Sequence, residues 1–86
     1  MKVNKAIIKA YYNLNGDLIS FPDNPLHGKL YENVEVIFKH KVREICGISF
    51  EVDIIEIEGQ GPIECELIDT VDLDGTLIIK ICQDWG

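Results

Sequence analysis

The sequence predicts a mainly β protein, a small antiparallel barrel or sandwich of about five or six strands, in one domain spanning residues 1–86. Three observations carry this expectation. Asn15-Gly16 and Asp74-Gly75 each separate two apolar runs, and such pairs supply the positive φ angles that a two-residue hairpin turn demands. Ile48 to Leu67 interleaves apolar with acidic side chains at a period of two, the repeat of a half-buried strand. A chain of 86 residues has room for a single core, and a composition of 47% hydrophobic and 27% charged residues is that of a folded chain.

The first element is a hairpin of Lys5 to Leu14 and Asp17 to Phe21. Its turn sets Leu14 opposite Asp17, Tyr12 opposite Ile19 and Ala10 opposite Phe21. Ala10, Tyr12, Ile19 and Phe21 then share one face as a half-core. Phe21 to Tyr31 reads as a loop broken by Pro22, Pro25 and Gly28, with His27 as a solvated loop histidine.

Residues 34–45 admit two readings. Asn33 as a cap and Gly47 as a stop fit one short helix within residues 34–45, with Val34, Ile37, Phe38, Val42 and Ile45 on one side. The alternation of Val34, Val36 and Phe38 fits a strand, which the β-branched run favours. Ile48, Phe50, Val52 and Ile54 form the next strand, after which the apolar phase slips to Ile55 and Ile57. One extra residue near Ile54-Ile55, a β-bulge, would restore a single apolar face.

Gly59 to Pro62 turns the chain into Ile63, Cys65 and Leu67. The last hairpin, closed by Asp74-Gly75, sets Leu67 opposite Cys82, Asp69 opposite Lys80 and Val71 opposite Ile78. Leu77, Ile78, Ile79 and Ile81 are apolar on both parities, which predicts burial on both faces, as in a closed barrel or beneath a partner.

Several functions are excluded by chemistry. No uninterrupted apolar run exceeds three residues, as at Leu77 to Ile79, so no membrane contact is expected. Ala6 to Ile8 is too short for a signal-peptide core. Cys46, Cys65 and Cys82 are an odd, widely spaced set, which fits a reducing cytoplasm and buried hydrophobes rather than a disulfide framework. A zinc site built from these three and His40 would lack the paired spacing that zinc ligands show. No catalytic residue, metal or cofactor is expected.

Asp72-Leu73-Asp74-Gly75-Thr76-Leu77 resembles the first motif of the haloacid-dehalogenase-like phosphatases, whose two aspartates act as nucleophile and as acid and base. That resemblance would imply a parallel sheet with crossover helices. Only nine residues follow Leu77, however, whereas one β-α-β unit takes about 30 residues. A hairpin turn accounts for the same letters.

Charge supplies the functional expectation. Residues 1–50 hold seven Lys/Arg against five Asp/Glu, a balance of +2; residues 51–86 hold Lys80 against ten acids, a balance of −9. Outward side chains on a strand recur every ~6.6 Å, and a DNA strand carries one charge per ~3.4 Å, so two acidic strands side by side match its charge density. The expected function is therefore a non-catalytic protein-binding module, an inhibitor of phage or mobile-element anti-defence type. Glu51, Asp53, Glu56, Glu58, Glu64 and Glu66 would dock as an acidic face on a basic, nucleic-acid-binding protein. At a net charge of −7 the protein itself is not expected to bind nucleic acid directly. The alternative is a structural or assembly subunit, a virion component or small homo-oligomer that uses exposed strand edges, with Trp85 as an anchor.

Overall fold

The computed structural model describes residues 1–83 and is built of seven strands. They are β1 (Lys2–Leu14), β2 (Asp17–Ser20), β3 (Leu30–Ile45), β4 (Ile48–Ile57), β5 (Gly61–Cys65), β6 (Leu67–Leu73) and β7 (Thr76–Cys82). They form one mixed sheet in the order β5-β4-β3-β1-β7-β6, with β2 beside the end of β1. Trp85 lies outside the described residues.

Turn chemistry sets the local pairs. Asn15 and Gly16 adopt φ of 52° and 89°, Asp74 and Gly75 of 52° and 83°, and both hairpins take the expected registers. Phe21 N–H continues the first ladder by donating to Ala10 O at 2.9 Å. Its half-core forms only in part: Ala10 is buried, while Ile19 and Phe21 stay exposed and Phe21 meets Tyr12 edge-on at 5.8 Å. A third turn of this kind, Cys46-Gly47 with φ of 52° and 77°, joins β3 to β4.

Residues 34–45 are strand throughout, inside β3, and contain no helix. Asn33 does not cap a helix. It adopts φ 52° inside β3, a left-handed conformation that asparagine tolerates better than most residues. The kink changes which parity faces inward: Tyr31 before it and Val34 and Val36 after it all pack on the core. β3 thereby leaves β1, its partner through Glu35, and continues with β4 from Val36 to Ile45. Two layers result, with Ala6, Ile8, Ala10, Leu77, Ile79 and Ile81 in one and Val36, Ile55, Ile57, Ile63 and Cys65 in the other.

Four expectations need correction. The sheet is not a closed barrel, since β5 and β6 end it unpaired with each other. It is not wholly antiparallel, since β1 and β7 pair in parallel from Lys5↔Thr76 to Tyr11↔Cys82; the five intervening strands supply the long return that parallel pairing requires. Seven strands replace five or six. No bulge interrupts β4, whose register with β3 runs without a slip from Ile45↔Ile48 to Val36↔Ile57.

The apolar phase change in β4 has another cause. Ile55 and Ile57 point into the core, whereas Val52 is on the opposite face yet only 1% exposed. Arg43 sits opposite Phe50 and Glu64 opposite Ile54, so their ion pair crosses β4 above Val52 and covers it. β7 is covered along its whole length on one face only: Leu77, Ile79 and Ile81 are buried in the core, while on the other face Cys82 is buried and Ile78 is half-buried between its cross-strand neighbours Ile7 and Val71.

His27 is not merely solvated. Its Nδ1 accepts Ala10 N–H at 3.0 Å, and Ile8 N–H donates to Lys29 O at 3.0 Å, so the loop satisfies β1 where no strand runs beside it.

Candidate functional site: the β3–β4 arm

Beyond His40 and Asp53, where β5 no longer flanks β4, β3 and β4 continue as a two-stranded arm, and the protein measures 41 × 24 × 20 Å. Its radius of gyration of 13.3 Å exceeds the roughly 12 Å of a compact chain this long. Val42, Ile45 and Ile48 are exposed on this arm, and Ile37 and Phe38 are exposed at its base. A lone two-stranded ribbon is marginal in water, and this arm leaves both apolar side chains and backbone groups open.

The backbone shows where. Val36 N–H donates to Met1 O at 2.7 Å and the Met1 amino group to Val36 O at 2.9 Å. Peptide directions alternate along a strand. Phe38, His40, Val42 and Glu44 therefore aim their N–H and C=O groups to the β1 side, beyond the last β1–β3 pair, where no strand lies among the described residues. The β6 edge is blunted by comparison: Ile68 N–H is taken by Asp53 Oδ2 at 3.0 Å and Thr70 N–H by Asp69 Oδ1 at 2.9 Å.

The six predicted carboxylates do not share one patch. With β4 unbulged, Glu51 and Asp53 fall on the core-side face, opposite Val42 and His40, and Glu56 falls on the other, opposite Ile37. Glu64 lies beside Ile54 on that second face. Glu58 follows β4 and accepts Glu35 N–H at 3.1 Å, and Glu66 is an exposed residue between β5 and β6. Cations of the first fifty residues meet several of them. Lys39 Nζ is 2.8 Å from Glu56, and Arg43 grips Glu64 through Nε at 2.9 Å and Nη2 at 2.5 Å. This grip holds the Glu64 carboxyl below its usual range and raises Arg43.

His40 stands between Asp53 (Nδ1–Oδ1 2.9 Å) and Glu51 (Nε2–Oε2 3.5 Å). The hydrogen bond to Asp53, then that to Glu51, raises it above the ordinary histidine value. The stabilisation is thus complete below the unfolded value and fades as pH climbs through the higher folded one. Relative to wild type, His40→Gln is expected to lower the urea midpoint at about pH 5.5 and to leave it nearly unchanged at about pH 9, the two sides of an unfolded histidine value near 6.5. A midpoint difference that is the same at both pH values would refute the cluster.

Phe38, His40, Asp53 and Ile68 line a cleft of about 280 Å³ where the core opens toward the arm. Cys65, opposite Asp53, is buried and its thiol is pushed up to about 12, chiefly by desolvation, so it is not an activated nucleophile. Cys46, expected inside, is exposed at the arm's tip, whereas Cys65 and Cys82 are buried. Among the described residues no three His, Cys, Asp or Glu side chains are grouped to hold a metal ion, and no helix is long and apolar enough to cross a membrane.

Sequence reasoning missed the arm and its open edge. The available signal was Ile45-Cys46-Gly47-Ile48, a two-residue turn whose glycine supplies one of the two positive φ angles. No family model, curated protein or solved structure matches this chain.

Proposed function

We propose that this protein is a non-catalytic binding module that works by strand addition, its β3 edge pairing with an extended segment of a partner. One observation carries the reading. From Ile37 to Ile45, β3 has no neighbour on its β1 side among the described residues, although Ile37, Phe38, Val42 and Ile45 flank that edge with exposed apolar surface. Backbone pairing would supply affinity there and the alternating side chains selectivity. Such a module serves equally as an assembly subunit or as an inhibitor of the protein whose strand it takes. The edge has better support than the acidic face because Lys39, His40 and Arg43 already occupy Glu56, Asp53 and Glu64.

Val42→Pro tests the reading. Val42 directs its N–H to the open side, so proline there removes the docking donor while leaving the ladder to β4 in place. Proteins captured by the wild type are expected to be lost with Val42→Pro and kept with Val42→Thr, and the amides of Phe38, His40, Val42 and Glu44 are expected to gain hydrogen-exchange protection on binding. Partners kept by Val42→Pro but lost when Glu51, Glu58 and Glu66 are neutralised would assign binding to the carboxylates instead.

A further inference from the structure

We infer that the segment received by the β3 edge is an acidic extended strand, with carboxylates at alternate positions on one face and aliphatic side chains on the other. This rests on the strand-addition reading. On one face of the edge stand Lys39, Lys41 and Arg43 in unbroken alternation between Ile37 and Ile45; on the other stand Phe38, His40, Val42 and Glu44. Lys39 and Arg43 lean toward β4 and β5 in their pairs with Glu56 and Glu64, while Lys41 has no ion pair among the described residues. Lys41 therefore sits at the centre of the nine-residue edge, its charge felt by Glu64 on β5 but held in no ion pair that would exclude an incoming side chain.

The same stripe rejects a second copy of itself. Because the even-numbered residues carry the outward N–H groups, an antiparallel β3–β3 pair between two copies must be centred on His40, Lys41 or Val42 to overlap well. Centring on His40 opposes Lys39 to Lys41; on Lys41, it opposes Lys41 to itself and Lys39 to Arg43; on Val42, Lys41 to Arg43. Every register sets like charges side by side, which is destabilising, and lysine on an open edge is a recognised guard against self-pairing. An acidic strand turns each of those clashes into a cross-strand attraction. The net charge of −7 does not oppose this at physiological salt, where the screening length is about 8 Å and a neighbouring strand lies only ~4.8 Å away.

The test uses three end-labelled heptapeptides, alternating Val-Glu, Val-Gln and Val-Lys, titrated against the full chain by fluorescence anisotropy in physiological salt. The Val-Glu peptide is expected to bind roughly tenfold more tightly than the Val-Lys peptide, with Val-Gln between them. Lys41→Glu is expected to reverse that order, and Val42→Pro to abolish binding of all three. Should Val42→Pro unfold the chain, Val-Glu peptides N-methylated on one or the other alternate set of amides probe the same bonds from the ligand side, and only one set should block binding. Equal affinities that remain sensitive to Val42→Pro or to N-methylation overturn the acidic preference and leave strand addition standing. Binding indifferent to both, or no binding of any peptide, removes strand addition and the preference with it.

Discussion

Ile79→Ala is expected to destabilise the protein by about 2–5 kcal/mol, the range for truncating a buried isoleucine, read as a lowered urea midpoint with an unchanged slope. Ile79 has no exposed surface and lies on β7 between β1 and β6, directly opposite the equally buried Ile8. No solvent-facing route exists for the neighbours to relax into, so a cavity persists. Against a total stability on the order of 4–13 kcal/mol for a chain this long, one such cavity is a large fraction. The adjacent Ile78→Ala is the control: it removes the same atoms from a partly buried position on the outer face and should cost only about 1–2 kcal/mol, with no enclosed cavity left behind. Equal losses at the two positions would mean that β7 is covered on both faces, as the sequence alone suggested, and the open two-layer arrangement would be wrong.

That contrast marks the boundary between what the chain reveals locally and what only the tertiary structure decides. Both hairpins were legible to the register because Asn15-Gly16 and Asp74-Gly75 fix their own φ angles and each ladder follows by counting. Cys46-Gly47 makes the same kind of turn, but cysteine carries no turn preference of its own, so β3 and β4 were not seen as one hairpin. Asn33 has the right chemistry for a helix cap and for a left-handed kink; the choice depends on β1, which lies far away in sequence. The parallel β1–β7 pair leaves no local mark at all.

The single acidic face was lost through the same step as the bulge in β4. A bulge near Ile54-Ile55 would have placed Glu51 and Asp53 on the same face as Glu56 and Glu58. The unbroken register instead puts Glu51 and Asp53 on one side and Glu56 on the other. Alternation shows one buried face only, whereas Val52 is buried on the second face beneath an ion pair. Composition counted the charges correctly but held no information on their pairing: Lys39 and Arg43 come from the half of the chain with positive balance and meet acids of the negative half.

Asp53→Ala is expected to have the largest effect of any of the six carboxylate substitutions. Asp53 is the one that ties the layers together: from β4 it holds His40 of β3 through Oδ1 and the Ile68 N–H of β6 through Oδ2. Losing the acceptor for that part-buried amide should cost about 1–3 kcal/mol, whereas Glu51→Ala, at a side chain 72% exposed and 3.5 Å from His40, should change little at neutral pH. Two further readouts separate this role from simple loss of packing. The Ile68 amide should exchange faster with solvent, and the dependence of stability on His40 between acid and alkaline pH should shrink, because the main cause of the raised histidine value is gone. Freeing Ile68 N–H also unblocks the β6 edge, which has no lysine guard comparable to that of β3. Asp53→Ala should therefore self-associate as its concentration rises, and adding Thr70→Pro, which blocks the next outward position on β6, should restore the wild-type state. An unchanged Ile68 exchange rate in Asp53→Ala would show that the carboxylate does not hold the two layers together.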